Sequence, residues 1–181
     1  MRNDLSQSLS HSDVDMSVLS PFQRILLTTD GTVTDMLEAF LAEPIQLIKL
    51  SEAFIEMDRA IEPMNIESGT KVIERKILLQ GKTSQKNYIY ARSLIVLDRL
   101  EQNFRQELLQ SKVPIGKIWL AQKVETFKEI IQTGKETAKG LSRHFDIKPT
   151  DNVLFRTYCV SSNQKPTIMI TEKFPESYFR N

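Results

Sequence analysis

The sequence predicts a single domain of the α+β class, built on a mainly antiparallel β-sheet with helices on one face. Two pairs of β-rich segments are each joined by a short polar turn, whereas helical spacing is confined to the start and the middle of the chain. No glycine-rich turn links a strand to a helix, which disfavours a nucleotide-binding fold. With 181 residues, 40% of them hydrophobic, the chain is long enough for one core.

Three helices are expected to cover the sheet. Ser20 is a suitable N-cap and Pro21 a suitable first residue for a helix that ends at Thr28 and Thr29. The second helix lies in "TVTDMLEAFLAE", where apolar residues recur at helical spacing. The third lies in "LDRLEQNFRQELLQ", and "VPIG" ends it.

The predicted strands are rich in β-branched and aromatic residues. The polar segments "QGKTSQKN" and "SSNQK" are typical of turns and would close two hairpins. Residues 124–133 are compatible with either a helix or a strand. The predicted strand segments are residues 45–57, 70–80, 88–97, 152–160 and 166–174.

Charge and composition exclude several classes of function. Lys and Arg number 24 and Asp and Glu 23, so the net charge of +1 provides no general attraction to nucleic acid or to an anionic membrane. Cys159 is alone, so we expect no internal disulfide, and its separation from His11 and His144 matches no metal motif. We therefore expect no metal, no nucleic-acid partner and no membrane partner.

The first 19 residues are polar and rich in Ser and Asp, and we expect them to form a flexible tail before a domain at residues 20–181. They contain no apolar segment typical of a signal peptide or a membrane anchor. No later apolar run approaches the roughly 20 residues that span a bilayer. These features predict a cytoplasmic protein, and they leave open whether it is a monomer or a dimer.

A glutamate lies on an apolar row of the last predicted strand. In "PTIMITEKFP", Glu172 shares its row with Ile170 and Phe174, because strand side chains alternate between two faces. Two arginines lie on similar rows, Arg75 in "KVIERKILL" and Arg156 in "VLFRTYCV". Charged side chains are rarely buried without a partner, so each of the three is expected to have one.

Two interpretations of these residues remain open. One arginine can pair with Glu172 as an internal salt bridge that has no further role. Two arginines and one glutamate nevertheless leave a surplus cation, and the planar fork of a guanidinium matches a carboxylate in a bidentate manner. The second interpretation is therefore a buried site for a small organic anion.

Five segments of the chain carry a resemblance to a known family. They are "RILLTTDGTVTDMLEAF", "IERKILL", "YARSLIVL", "VPIGKIWL" and "KPTIMITEKFP", in the family's order. The chain resembles chorismate lyase (chorismate pyruvate-lyase), especially its cyanobacterial and plastid-encoded branch. The resemblance implies a buried ligand site closed by helical flaps. It also implies conversion of the substrate chorismate to 4-hydroxybenzoate and pyruvate, with no cofactor and no metal.

The resemblance further implies roles for individual residues. Arg75 would hold the ring carboxylate, with help from backbone groups at Val33 and Ile115, and Glu172 would face the 4-hydroxyl. Arg156 would hold the side-chain carboxylate of chorismate. Arg75 and Glu172 are therefore the expected catalytic residues, and Glu172 would either take the proton from ring carbon 4 or only bind the hydroxyl.

Several other residues are interpreted as structural. Arg92 matches a family arginine but shares its row with Tyr90, so a role in ring stacking is at least as consistent as binding. Trp119, His144 and Cys159 are interpreted as packing residues, because nothing in the sequence places a base or a further ligand beside them.

A non-catalytic binding module is the alternative function. The same fold serves as the small-molecule sensing domain of some bacterial transcription regulators, so the fold does not decide between the two. Such regulators carry a helix-turn-helix domain ahead of the sensor, whereas only the polar residues 1–19 precede the predicted domain here. We therefore expect an enzyme.

Overall fold

A six-stranded antiparallel β-sheet is the frame of the protein. The computed structural model describes residues 14–110 and 113–180. The strand order is β1-β2-β3-β6-β5-β4, so the last strand of the chain pairs with β3 in the middle of the sheet. The strands are β1 (Ile45–Glu56), β2 (Lys71–Gly81), β3 (Asn87–Ile95), β4 (Phe127–Thr137), β5 (Asn152–Ser162) and β6 (Lys165–Pro175).

Five α-helices and four short 3-10 helices lie within the described residues. The α-helices are α1 (Pro21–Thr28), α2 (Val33–Leu41), α3 (Gln102–Gln110), α4 (Ile115–Gln122) and α5 (Ser142–Phe145). The 3-10 helices are Met16–Val18, Glu62–Met64, Leu97–Arg99 and Lys139–Leu141.

The start of α1 follows from its sequence. The Oγ of Ser20 accepts a hydrogen bond from the backbone N–H of Gln23 at 3.1 Å, and the Gln23 side chain accepts one in return from the N–H of Ser20 at 3.0 Å. This is a capping box, and Pro21 follows it at the first helical position. Gln23 also donates to the carbonyls of Glu176 and Tyr178, which ties α1 to the segment after β6.

The two faces of the sheet are covered by different elements. The inner face carries the odd-numbered residues of β2 from Ile73 to Leu79, and α1 to α4 pack on it. Each of these four helices contributes at least one buried apolar side chain, including Leu27, Leu37, Phe104 and Ile118. The outer face packs against α5 through Phe145 and against the Glu62–Met64 turn through Met64.

The predicted α+β class and both predicted hairpins are confirmed, whereas three details differ. Residues 115–122 form α4, because Pro114 starts a helix as well as ending the one before it. The ambiguous segment 124–133 belongs to β4 from Phe127 onward. The short helix α5 lies on the outer face, so the helices are not all on one side of the sheet.

The residues before α1 pack on the sheet. Val14 and Leu19 are buried in the same core cluster as α1 and α2, although residues 14–19 were assigned to the flexible tail. The packed part of the chain therefore begins before residue 20, and residues 1–13 lie outside the described residues. No helix among residues 14–110 and 113–180 is long and apolar enough to cross a membrane.

Candidate active site

Strand register brings the predicted charged residues together on the inner face. Arg75 of β2 pairs with Ser93 of β3, and Glu172 of β6 pairs with Ala91, two residues earlier on β3. Glu172 also pairs with Arg156 of β5 on its other side. From the usual strand spacing and rise, the Cα atoms of Arg75 and Glu172 are about 12 Å apart. This separation leaves room for one small ligand between the two side chains.

A cavity lies between the inner face and the N-terminal ends of α2 and α4. It holds about 560 Å³ of space outside the protein atoms, part of it open to solvent. Four of the five predicted site residues line this cavity: Val33, Arg75, Ile115 and Glu172. The apolar part of the wall includes Leu47, Ile77, Leu79, Ala91 and Ile170.

Arg75 is buried with its hydrogen-bonding capacity unused. The residue is 1% exposed, and none of its three guanidinium nitrogens donates a hydrogen bond within the described part of the chain. The carboxylate of Glu52 forms a long ion pair, with its Oε2 3.5 Å from Nε of Arg75. Burial lowers the pKa of Arg75, and the charge of Glu52 opposes this change. A guanidinium in this state favours the binding of an anion.

Glu172 is held by two neighbours on the inner face. Its Oε2 accepts a hydrogen bond from Nε of Arg156 at 2.8 Å, and its Oε1 accepts one from the hydroxyl of Tyr158 at 2.9 Å. Arg156 also donates from Nη1 to the carbonyl of Thr29 at 2.6 Å, which ties β5 to the end of α1. These contacts fix the carboxylate of Glu172 in the cavity wall.

Arg156 and Tyr158 keep the protonation states in which each can donate a hydrogen bond to Glu172. Burial opposes the charge of Arg156, but Glu172 and Tyr158 outweigh it and raise the pKa of Arg156 above its ordinary value. Burial and the charge of Glu172 both raise the pKa of Tyr158 well above its ordinary value. Arg156 therefore stays cationic, and Tyr158 stays a neutral donor to Glu172.

Arg156 lies behind the site rather than in it. It is 2% exposed and is not among the described residues that line the cavity, although it was expected to hold a substrate carboxylate. Of the two open interpretations, the internal salt bridge with Glu172 applies to Arg156, whereas Arg75 is 3.5 Å from the carboxylate of Glu52 and remains the candidate for binding an anion. The reason is register, because Arg156 lies directly opposite Glu172, whereas Arg75 is two strands away.

Trp119 and Lys128 are among the lining residues that were not predicted as part of the site. Trp119, interpreted as a packing residue, lines the cavity, and so does Lys128. The Nζ of Lys128 donates to the carbonyls of Asp30 at 2.6 Å and Gly31 at 3.1 Å. Lys128 lies in the segment of ambiguous pattern, where a bulge after Ile130 interrupts the alternation of β4. Lys128 and Ile130 are two residues apart and precede the bulge, so they share a face of the strand. The apolar Ile130 could therefore have indicated that Lys128 lies on the inner face.

Three of the residues interpreted as structural lie away from the cavity. Arg92 forms an ion pair with Glu74 at 2.6 Å on the outer face, and His144 stacks near Tyr90. Cys159 is buried, and this burial raises its pKa to about 11. No group of three or more His, Cys, Asp or Glu residues that could hold a metal ion occurs in residues 14–110 and 113–180.

The fold and the cavity define a class of protein, an α+β domain with a cavity on one face of its sheet and a buried arginine in the cavity wall. The family follows from a comparison with family models. The model of the chorismate pyruvate-lyase Rv2949c-like family matches residues 27–180, so the chain belongs to this family.

Individual relatives agree with this family. A chorismate pyruvate-lyase of Mycobacterium tuberculosis is 28% identical over 174 residues, covering 94% of this chain and 87% of the relative. One from Mycobacterium leprae is 29% identical over 160 residues, covering 87% and 76%. Among solved structures, the effector domain of PhnF from Mycobacterium smegmatis has a TM-score of 0.64 with 8% identity, covering 82% of this chain and 91% of that one. At this identity, the structural likeness supports the fold alone.

The comparisons do not support the cyanobacterial and plastid-encoded branch that was expected. The matching family model is of the Rv2949c-like kind, and the curated relatives described above are mycobacterial. The five short segments that suggested the family were therefore sufficient for the family but not for a branch within it.

Proposed function

We propose that the protein is a chorismate pyruvate-lyase that converts chorismate to 4-hydroxybenzoate and pyruvate without a cofactor. The observation that carries the proposal is Arg75, a buried guanidinium in the wall of a cavity that Glu172 also lines, whose three nitrogens donate no hydrogen bond to any described residue. Membership of the family and the names of the mycobacterial relatives support a lyase of this kind.

The proposal assigns a role to each group in the cavity. Arg75 binds the ring carboxylate through its fork of N–H groups, and Glu172 binds the 4-hydroxyl at the opposite end of the ring. Backbone groups at Val33 and Ile115, at the starts of α2 and α4, contribute further hydrogen bonds. The apolar wall between these ends accommodates the faces of the ring. A carboxylate and a hydroxyl in para positions are thus recognised together.

The chemistry requires little beyond this positioning. The hydrogen at ring carbon 4 leaves as a proton while the ether bond at carbon 3 breaks, and the electron pair of the C–H bond completes the aromatic ring. The methylene carbon of the departing enolpyruvyl group accepts the proton, so this group leaves as pyruvate and the atoms balance. Aromatisation drives the reaction, and the enzyme contributes orientation in a site largely shielded from water.

One assay tests the proposed function directly. Purified protein, desalted and treated with a chelator, is incubated with chorismate, and 4-hydroxybenzoate and pyruvate are measured together. We expect equimolar formation of both products. A requirement for an added divalent ion would contradict the cofactor-free mechanism, and the absence of both products would contradict the enzyme.

The same experiment distinguishes the alternative of a sensor-like binding domain. A sensor would bind 4-hydroxybenzoate or a related aromatic acid through Arg75 and release no pyruvate from chorismate. Calorimetric titration with 4-hydroxybenzoate, run beside the assay, separates binding with turnover from binding alone.

A further inference from the structure

The substrate of the proposed reaction carries two carboxylates, and Arg75 can hold only one of them. This inference rests on the proposed function. The second carboxylate belongs to the enolpyruvyl group and enters a largely buried cavity whose wall already contains the carboxylate of Glu172. A buried charge without a counterion is costly, so the site needs a second cation.

The cationic side chains near the cavity differ in how many of their hydrogen-bond donors already have a partner. Arg156 is bound to Glu172 and to the carbonyl of Thr29, and it does not line the cavity. Lys128 lines the cavity and forms no ion pair with a carboxylate among the described residues. Its Nζ donates to two neutral carbonyls, which leaves one of the three ammonium N–H groups for a ligand.

The position of Lys128 suits a group at the edge of the cavity. Lys128 and Trp119 line both the cavity and an adjacent surface cleft, which also includes Lys123 and Phe127. The Nζ of Lys128 is 5.8 Å from the ring centroids of Trp119 and Tyr158. The ammonium therefore lies among aromatic rings, beside the passage between the cavity and the cleft.

The burial of Lys128 favours the binding of an anion at its ammonium group. Burial lowers the pKa of Lys128, and the charge of Arg156 lowers it further, while Glu172 and Asp30 act in the opposite direction. A carboxylate bound at Nζ would offset both of the effects that disfavour the ammonium form. It would also compensate for the hydration that Lys128 has lost.

We propose that Lys128 binds the carboxylate of the enolpyruvyl group and thereby distinguishes the substrate from the aromatic product. Chorismate has this second carboxylate and 4-hydroxybenzoate does not. Arg75 contacts both molecules, whereas Lys128 contacts only the substrate. Once the bond at carbon 3 is broken, the pyruvate held by Lys128 lies beside the surface cleft, ready to leave separately from the ring.

The Lys128→Met variant tests this assignment, because Met keeps the length of the side chain and removes its charge. Losing one charged hydrogen bond to a partly buried carboxylate is expected to raise KM for chorismate by about 10- to 100-fold. The Kd for 4-hydroxybenzoate is expected to change by less than about 3-fold. Lys128→Arg keeps the charge and should retain most of the affinity for chorismate. Lys123→Met, in the cleft but not in the cavity, is the matched control and should leave both constants unchanged.

The possible outcomes separate this inference from the proposed function. If the unmodified protein neither binds nor cleaves chorismate, the proposed function fails and the inference fails with it. If the unmodified protein cleaves chorismate and Lys128→Met does so with an unchanged KM, only the inference is overturned. An equal loss of affinity for chorismate and 4-hydroxybenzoate, or loss of folding in both Lys128→Met and Lys128→Arg by circular dichroism, would show a structural role and also overturn it.

Discussion

At the scale of single residues, the two buried arginines are in opposite states. Within the described part of the chain, the side chain of Arg75 donates no hydrogen bond, whereas that of Arg156 has a carboxylate partner at 2.8 Å and a carbonyl partner at 2.6 Å. A buried charge without hydrogen bonds opposes folding, and a buried pair resists the loss of either partner. Although both arginines lie on the same face of the sheet, Arg156 is suited to stabilising the fold and Arg75 is suited to binding a ligand.

This contrast predicts opposite effects on stability from the same substitution. In the absence of ligand, Arg75→Met should raise the free energy of unfolding by about 1 to 3 kcal/mol, because a methionine fills the site without a buried charge and the partly exposed Glu52 keeps its ion pair with Lys49 at 2.9 Å. Arg156→Met should lower it by about 3 to 5 kcal/mol, because it leaves Glu172 buried without its cation. Urea unfolding of both variants and the unmodified protein measures these differences.

Measuring ligand binding by the Arg75→Met variant tests the proposed function of Arg75 separately from its effect on stability. Arg75→Met should weaken the binding of chorismate and of 4-hydroxybenzoate alike, since both present the ring carboxylate to this guanidinium. A stable Arg75→Met variant that binds 4-hydroxybenzoate with unchanged affinity would contradict the assignment of Arg75.

The role of Glu172 can be read from kinetics. We expect Glu172→Gln to raise KM while keeping most of kcat, because in the proposed mechanism Glu172 only recognises the 4-hydroxyl and the enolpyruvyl group accepts the proton. If Glu172 were instead the base, kcat would fall by roughly 10²-fold with little change in KM. Tyr158→Phe is a useful companion, since it removes a hydrogen bond to the same carboxylate and leaves the carboxylate in place.

At the scale of secondary-structure elements, the cavity is closed where the starts of α2 and α4 meet. Thr32, the N-cap of α2, lies so close to Gly116 of α4 that a Cβ at residue 116 would be 2.6 Å from Cγ2 of Thr32. Both residues line the cavity and the surface cleft. The absence of a side chain at Gly116 thus permits the close approach of the two helices.

This contact predicts a defect that is specific to the site. Gly116→Ala should reduce kcat/KM for chorismate by about 10-fold, while thermal stability changes little, because alanine's higher helix propensity offsets the strain of displacing Thr32. Adding Thr32→Ser removes the offending methyl group and should restore most of the activity. Failure of the double variant to recover would show that the contact is not the cause.

The elements also differ in how well local pattern predicted them. Ser20 as an N-cap and Pro21 as the first helical residue predicted α1, and alternation predicted the faces of β2, β5 and β6, because these signals depend only on neighbouring residues. The helix after Pro114 and the strand from Phe127 were not predicted. A proline can end or begin a helix, and the bulge in β4 breaks the period-two signal.

At the scale of the whole molecule, packing of the sheet buries several groups that can lose protons at alkaline pH, including Cys159 and Tyr158. Cys159 lies in the core of the outer face, and Tyr158 lies on the inner face next to it in sequence. Burial raises the pKa of both groups, to about 11 for Cys159 and well above the ordinary value for Tyr158. Folding therefore favours their neutral forms.

The stability of the protein should accordingly decline at alkaline pH. A group whose pKa is higher in the folded state contributes its full stabilisation below the unfolded pKa, and the contribution is lost as pH rises through the folded value. For Cys159 this window runs from 9.0 to about 11. Urea unfolding at pH 8, 9.5 and 10.5 should show a falling free energy of unfolding, with a smaller fall in Cys159→Ala. Parallel pH profiles for the two proteins would contradict this account.

The sequence by itself determined which side chains share a face of the sheet. Glu172, Arg75 and Arg156 could be placed on apolar rows because the alternation of a strand is a local property of the chain. Only the tertiary structure decided which arginine is paired, since strand order and register put Arg156 opposite Glu172 and Arg75 two strands away. It also placed Lys128 in the cavity wall, because that position depends on how β4 and the helices pack against the sheet, and no local pattern encodes this packing.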